Sequence, residues 1–545
     1  MVGFPLKITF IGATHQVTGS RTLVEWMDGR FFLVDCGMEQ GENDLVQCEM
    51  PVSPSQIEYI FLTHAHIDHS GLLPLIYKQG FRGIIYATPE TLNLCSIMLA
   101  DCAHINETDA AYETKKNLRK GGPAVEPLYT ADDVAGTMEL FHPCEYNKLT
   151  LIDEGLTVRF TDIGHLLGSA SIEFFLDDQG ESRKLVCSGD VGNANQPIIR
   201  NPQSVSEADY LLIESTYGTR LHELTTSPVP LMTEILRKTF NRGGSVIIPS
   251  FAVGRTQELL YLFREIKQNH LLPEYDSFPV YVDSPLANEA TAIFLQCNPD
   301  CLDEKTHKIM LSGQNPIWFD GLHTTVSSDE SKALNNDKSV SKVIISSSGM
   351  CEGGRIRHHL KHNLWDKRNT ILFAGYQAAG TLGRIIFDGA KTVKILGEEI
   401  DVEAEIALLA GISGHADRDG LLQWLSDFEK KPSYVFVNHG DEESCTGFVS
   451  EVKSRFGIEA SAPFSGSVFD LIKGEWIRLT DPVYKEKKKQ DPTETEGRRV
   501  KENVYTDLRK AVSELDVYTI GLEGHSNFEL KELTAKIRSL ISSQE

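Results

Sequence analysis

The sequence has 545 residues, with 53 Lys and Arg against 77 Asp and Glu, a formal net charge of −24. With 41% hydrophobic and 24% charged residues it reads as a globular chain long enough for several domains. That composition excludes collagenous, wholly disordered and membrane-embedded classes. So acidic a chain does not bind nucleic acid through its whole surface, and an enzyme acting on nucleic acid would need a locally basic or metal-loaded groove.

No apolar run reaches the roughly 18 residues that span a bilayer. The N-terminus shows no basic segment followed by an apolar stretch and a cleavage site. The ten Cys are scattered, with no CxxC pair. That argues against a disulfide scaffold and against a Cys-rich zinc site, and a reducing cytoplasm is the expected compartment.

In chain order, 6–12 reads as a strand ending in a Gly turn. Segments 22–27 and 31–35 flank Asp28-Gly29 as a hairpin. Residues 58–62 form a buried strand that runs into Thr63-His64-Ala65-His66-Ile67-Asp68-His69-Ser70-Gly71, and the next apolar stretch reads as a helix. Residues 91–120 look helical, as a lid or an insertion. Strands are expected at 157–163, 171–177 and 184–189. From about residue 217 the pattern changes. Strands at 245–249, 278–283, 342–347 and 370–375, with helices at 252–268 and 285–296, imply a parallel sheet covered by helices. Short strands return over 392–412, followed by a helix at 420–428 and a buried strand at 433–437 ending in Asn438-His439-Gly440. Residues 484–502 are charged and aperiodic and read as a linker, and 503–545 as amphipathic helix.

The chemistry concentrates in His64-x-His66-x-Asp68-His69. Three imidazoles and a carboxylate in six residues are costly to pack after an apolar strand unless they bind something. Imidazole nitrogen and carboxylate oxygen are zinc donors. The i, i+2 spacing lets His64 and His66 face one metal, with Asp68 and His69 facing a second. A merely His-rich surface loop is the bland alternative. Other strand ends supply more donors: His165 between Gly164 and Gly168, Asp190 after Cys187-Ser188-Gly189, and His439.

This set resembles the metallo-β-lactamase superfamily, whose fold is an αββα sandwich with metals at one edge. Asp35, in Val34-Asp35-Cys36-Gly37, matches that superfamily's first motif and would hold the metal loop in place. The block at 217–386 is similar to the domain inserted in the β-CASP branch, whose members are nucleases. Glu214-Ser215-Thr216-Tyr217-Gly218, Ser413-Gly414-His415-Ala416-Asp417 and His439 resemble that branch's three extra motifs. Segments 250–255, 345–350 and 375–384 resemble the inserted domain of the RNA 3′-end-processing ribonucleases of bacteria and archaea.

The resemblance, which covers about 1–480, implies an α/β fold: a metallo-β-lactamase domain over 1–216 and 387–482 and a β-CASP domain over 217–386; the linker at 483–502 and the helical extension at 503–545 are read from the residue pattern alone. It implies two zinc ions, one on His64, His66, His165 and Asp190, the other on Asp68, His69, Asp190 and His439. It also implies Asp68 orienting water, His415 as general acid and Glu214 charging its imidazole. The expected activity is hydrolysis of RNA to 5′-phosphate and 3′-hydroxyl ends, endonucleolytic before 5′-exonucleolytic. Arg255, Arg355 and Arg384, with Ser347, Ser348 and Gly349, are candidate phosphate contacts, and Tyr376 a candidate base contact. His358-His359-x-x-His362 looks ligand-like but is read as structural, and His15, on a loop bordering the metals, is expected to support their ligands at most. A small-ester hydrolase and a non-catalytic scaffold are the alternatives. RNA is the expected partner and a membrane is not. The C-terminal region is read either as a homodimer contact or as a solvated tail.

Overall fold

A computed structural model describes residues 6–27, 29–41, 43–178, 180–222, 227–378, 380–485 and 534. The chain divides into two units, Met1–Tyr484 and Lys485–Glu545. Past Lys485 the expected linker lies outside the described residues. So does the expected C-terminal helix, apart from Thr534.

Six strands open the chain: β1 (Lys7–Gly12), β2 (Arg21–Trp26), β3 (Arg30–Val34), β4 (Ile57–Phe61), β5 (Ile84–Ala87) and β6 (Phe141–Pro143). A second set follows: β7 (Thr150–Asp153), β8 (Leu156–Asp162), β9 (Ala170–Asp178), β10 (Glu181–Cys187) and β11 (Tyr210–Ile213). A third set comprises β12 (Val246–Pro249), β13 (Val280–Val282), β14 (Leu322–Thr324), β15 (Val343–Ser346) and β16 (Thr370–Phe373). The hairpin β17 (Thr392–Ile395) and β18 (Glu398–Asp401) leads to β19 (Glu405–Leu408). The described strands end with β20 (Tyr434–Val437), β21 (Glu459–Ser461), β22 (Val468–Asp470) and β23 (Glu475–Arg478).

Among the described residues three large sheets result, beside the two-stranded β17-β18. The first has the order β23-β22-β1-β2-β3-β4-β5-β6, and the second β21-β20-β11-β10-β9-β8-β7. These two pack face to face through a layer rich in aromatics, where Phe32 stacks on Phe174 at 5.0 Å and Phe61 meets Phe174 edge-on at 5.1 Å. Helices cover both outer faces. Leu421, Trp424 and Leu425 of helix Arg418–Ser426 and Phe448 of helix Glu442–Phe456 pack against the second sheet. This is the αββα sandwich the sequence implies.

The third sheet, β14-β13-β15-β12-β16-β19, is parallel throughout. Its central strands β12, β15 and β16, buried on both faces, carry the near-continuous apolar runs that such sheets require. β19 pairs with β16, so one strand from beyond residue 386 joins this sheet. One expectation changes. Helix Pro89–Leu118 is neither lid nor insertion: Leu94, Cys95, Leu99 and Ala103 are buried in the core, and the helix packs against helix Pro285–Gln296 of the inserted block. Its exposed polar face was legible in the sequence, but its buried stripe was not read. Among the described residues no helix is long and apolar enough to cross a membrane.

Candidate metal centre

The site forms where strands of the first two sheets end. β4 stops at Phe61, and the chain crosses as an extended loop into the single turn Ile67–Ser70. Backbone N–H groups of Ser20, Cys36 and Met38 donate to the carbonyls of Asp68, His69 and Ile67, at 2.8, 2.7 and 3.0 Å. The contact leaves no space at Gly37, where an added Cβ would fall 1.6 Å from the Asp68 carbonyl oxygen.

His64, His66, His165 and Asp190 converge in one cluster, and Asp68, His69 and His439 in another. In the first, His66 Nδ1 lies 3.0 Å from His64 Nε2 and 3.2 Å from His165 Nε2. Asp190 Oδ2 is 3.6 Å from both Nε2 atoms. In the second, His69 Nε2 is 3.2 Å from His439 Nε2, which is 3.6 Å from Asp68 Oδ2. Asp190 joins the two, its Oδ1 lying 3.3 Å from His69 Nε2 and 3.6 Å from His439 Nδ1.

Neighbouring groups fix which ring nitrogens face inward. The Gly414 carbonyl can only accept, so His165 Nδ1 donates to it at 3.1 Å and Nε2 is left bare. Asp35 accepts from His69 Nδ1 at 2.7 Å and from the Thr63 hydroxyl at 3.0 Å. Thr63 in turn accepts from His64 Nδ1 at 3.1 Å. Asp35 thus orients two imidazoles, one directly and one through Thr63. Asp35 and His439 both hold left-handed backbone, with φ of 59° and 51°, a conformation costing about 1–2 kcal/mol in a non-glycine residue.

Burial, the largest effect, pushes His64 and His165 well below the ordinary imidazole range, and lowers His66 too. These rings are neutral donors at neutral pH. Burial would raise Asp190, but the facing His439 and His69 overcome it and keep the carboxylate ionised. Asp68 is held at about 2, against its burial, by His439 and His69. His69, between Asp190 and Asp35, is raised well above the usual range despite burial.

His64 Nε2 and His165 Nε2 are both bare, and His66 Nδ1, 3.0 and 3.2 Å away, can donate a proton to at most one of them, so an unpaired lone-pair contact is left unless a cation lies among them. Asp190 Oδ1 is buried and accepts no hydrogen bond. Both features fit bound metal, and the imidazole–carboxylate donor set suits zinc.

Beside the clusters, His415 Nδ1 lies 3.1 Å from Glu214 Oε1 and 3.9 Å from Asp190 Oδ2. Glu214 is clamped by the N–H groups of Val191, at 2.7 Å, and Thr216, at 3.1 Å. Burial opposes charge on His415, but Glu214 lifts its ring to about 9, so it carries a proton at neutral pH. His222 was missed by sequence reasoning. Its Nε2 donates to the His415 carbonyl at 2.9 Å, and its ring meets Tyr217 at 4.7 Å. A lone His in a polar stretch gives no spacing signal. His15 instead stacks on Phe464 at 4.0 Å and pairs with Glu442.

The expected substrate contacts gather at the C-terminal ends of the third sheet's strands, where open α/β sheets bind ligands. There the Ser347 and Ser284 hydroxyls are 2.8 Å apart, and Ser348 Oγ accepts from the N–H of Glu352. The three arginines are all paired: Arg255 with Glu258, Arg384 with Asp388, and Arg355 with the buried Asp283. In helix Ile356–Asn363, His359 is fully buried with Nε2 2.6 Å from Asp283, while His358 and His362 are exposed.

The αββα sandwich with this donor set defines a metal-dependent hydrolase. Three family models match: the metallo-β-lactamase superfamily over 18–95, the Beta-Casp domain over 256–386, and the Zn-dependent metallo-hydrolase RNA specificity domain over 399–463. Among curated relatives, Ribonuclease TTHA0252 of Thermus thermophilus is 38% identical over 439 residues, covering 80% of this chain and 94% of that protein. Transcription termination factor FttA of Methanosarcina mazei is 32% identical over 471 residues, covering 84% and 70%. Its counterpart from Pyrococcus abyssi is 28% identical over 478 residues, covering 84% and 70%. The chain belongs to the β-CASP RNA-processing family of the metallo-β-lactamase superfamily.

Proposed function

We propose that the chain is a ribonuclease hydrolysing RNA phosphodiester bonds to 5′-phosphate and 3′-hydroxyl ends, with endonucleolytic cleavage its main mode. The observation that carries this is His415, its Nδ1 3.1 Å from Glu214 and 3.9 Å from Asp190, beside two donor clusters that share Asp190. His64, His66, His165 and Asp190 would hold one zinc ion, and Asp68, His69, His439 and Asp190 a second. Bound there, the metals would acidify a water and offset phosphate charge. Asp68, ionised at neutral pH, accepts a hydrogen bond from the attacking water and orients it. His415 gives its proton to the departing 3′ oxygen, while Glu214 keeps that proton available and fixes the ring. Residues 217–408 would form the wall along which the polymer lies, with Ser347, Ser348, Gly349 and Tyr376 at its rim and Arg255, Arg355 and Arg384 shaping it through their paired carboxylates.

The test is cleavage of one RNA labelled separately at each end, by zinc-loaded wild type and Asp68→Ala. Internal fragments bearing 5′ phosphate, absent with the variant, are expected. Mononucleotides released from the 5′ end would replace the endonuclease by an exonuclease. No cleavage by metal-replete wild type would overturn the reading.

A further inference from the structure

Phe251 is an apolar ring in an unexpected place. It follows β12 directly and is 45% exposed. Yet nothing about its backbone is loose. The Ser250 N–H donates to the Ser346 carbonyl at 3.0 Å, and the Thr256 hydroxyl to the Phe251 carbonyl at 2.7 Å. One side of the ring rests on Gly349, where an added Cβ would lie 2.9 Å from two ring carbons. Gly349 is itself anchored, its carbonyl accepting from Gln377 Nε2 at 3.1 Å. The same Gln377 nitrogen donates to the Tyr376 carbonyl at 3.1 Å. Three strand ends are therefore tied together, and they present two half-exposed rings, Phe251 and Tyr376, the latter 51% exposed.

This rim adjoins the metal centre. The Cβ position of Gly254, three residues beyond Phe251, lies 3.0 Å from Leu166, the neighbour of His165. Tyr217 stands at the edge of that centre, its ring centre 6.2 Å from that of His415. A hydrophobic ring that is solvated, rigid and on the loop that meets the segment bearing His165 is preorganised to be covered by a flat partner at little entropic cost. Nucleobases are such partners, and their stacking on aromatic side chains tolerates any sequence.

We propose that Phe251 is the stacking platform for one nucleobase flanking the scissile phosphate, with Gly349 as the cradle that lets the ring lie flat. The proposal rests on the ribonuclease reading above. It makes Phe251 a substrate-positioning residue, and it explains why position 349 lacks a side chain.

The test uses an RNA with one mapped cleavage site and a set of copies, each carrying a single abasic nucleotide near that site. Wild type, Phe251→Ala, Phe251→Trp and Gly349→Ala are compared by kcat/KM, with metal content and Tm measured for each. For wild type, one abasic position is expected to cost about ten-fold, on the order of one lost base stack. Phe251→Ala should lose a similar factor on intact RNA and nothing further at that position. Phe251→Trp should restore the rate on intact RNA, and Gly349→Ala should behave like Phe251→Ala. The stacking proposal is overturned if Phe251→Ala cleaves intact RNA as wild type does. It is equally overturned if the variant and abasic losses multiply at every position. A wild type that cleaves no RNA would overturn both this proposal and the ribonuclease reading.

Discussion

Asp35→Asn isolates the support beneath the metal centre from the donors themselves. The Asp35 carboxylate accepts four bonds, split between its oxygens. Thr63 N–H donates to Oδ1 at 2.9 Å, and the Thr63 hydroxyl approaches both oxygens at 3.0 and 3.1 Å. Ser20 Oγ and His69 Nδ1 donate to Oδ2 at 3.2 and 2.7 Å. An amide has one acceptor oxygen, so one side of the site must face NH2. If that side is Thr63, a backbone N–H bond worth about 1.5–3 kcal/mol to a charged acceptor is lost. If it is His69, the imidazole must turn its proton to Nε2, which blocks the lone pair that faces Asp190 and His439. Metal affinity of the second cluster should fall about 10–100-fold, or ~1.4–2.7 kcal/mol. The assay is zinc titration of the metal-free protein against a chelating dye, with stoichiometry from elemental analysis. An Asp35→Asn protein that takes up two zinc ions with wild-type affinity would refute this account of how His69 is oriented.

His415→Ala should keep full metal content and lose about 10²–10⁴ of the cleavage rate, since only proton delivery is removed; a variant short of metal would mean His415 is instead a ligand. Gly37→Ala drives a methyl group into the Asp68 carbonyl, and with it the loop bearing His64 to His69. It should abolish metal uptake while Cys36→Ser, one residue earlier, largely preserves it; equal uptake by wild type and Gly37→Ala would show that the contact is soft. Asp283→Asn tests the inserted domain. Burial would raise the Asp283 carboxyl, but bonds from His359, Ser331, Thr325 and Arg355 hold it below the usual carboxylate range. A depressed native pKa stabilises above the unfolded value near 4 and ceases to do so as pH falls below it. Urea unfolding should therefore show wild type ahead of Asp283→Asn by about 3–5 kcal/mol at pH 7. The gap should narrow below pH 4, and a gap independent of pH would contradict the ionised assignment.

Local sequence alone determined much of this protein. His64-x-His66-x-Asp68-His69 after an apolar strand, and single donors at three further strand ends, announce their chemistry because metal donors cluster at spacings that few packing needs would impose. Binary patterning likewise placed the strands, since a buried parallel strand must read as a short apolar run. The tertiary structure decided what depends on partners far along the chain. The sequence marks Arg255, Arg355 and Arg384 as cations but cannot show that Glu258, Asp283 and Asp388 neutralise each of them. The helix at 89–118 has a polar face that reads as a lid, yet its other face packs into a core shared by its own domain and the inserted block. β19 joins the third sheet because β16 offers it an open edge, which no window of sequence around residue 405 contains. His222, Thr63 and Phe251 acquire their roles by contact with residues up to about two hundred positions away. Donor identity is a property of the residue and is written in the chain, whereas orientation, pairing and exposure are properties of neighbours and exist only once the fold has brought them together.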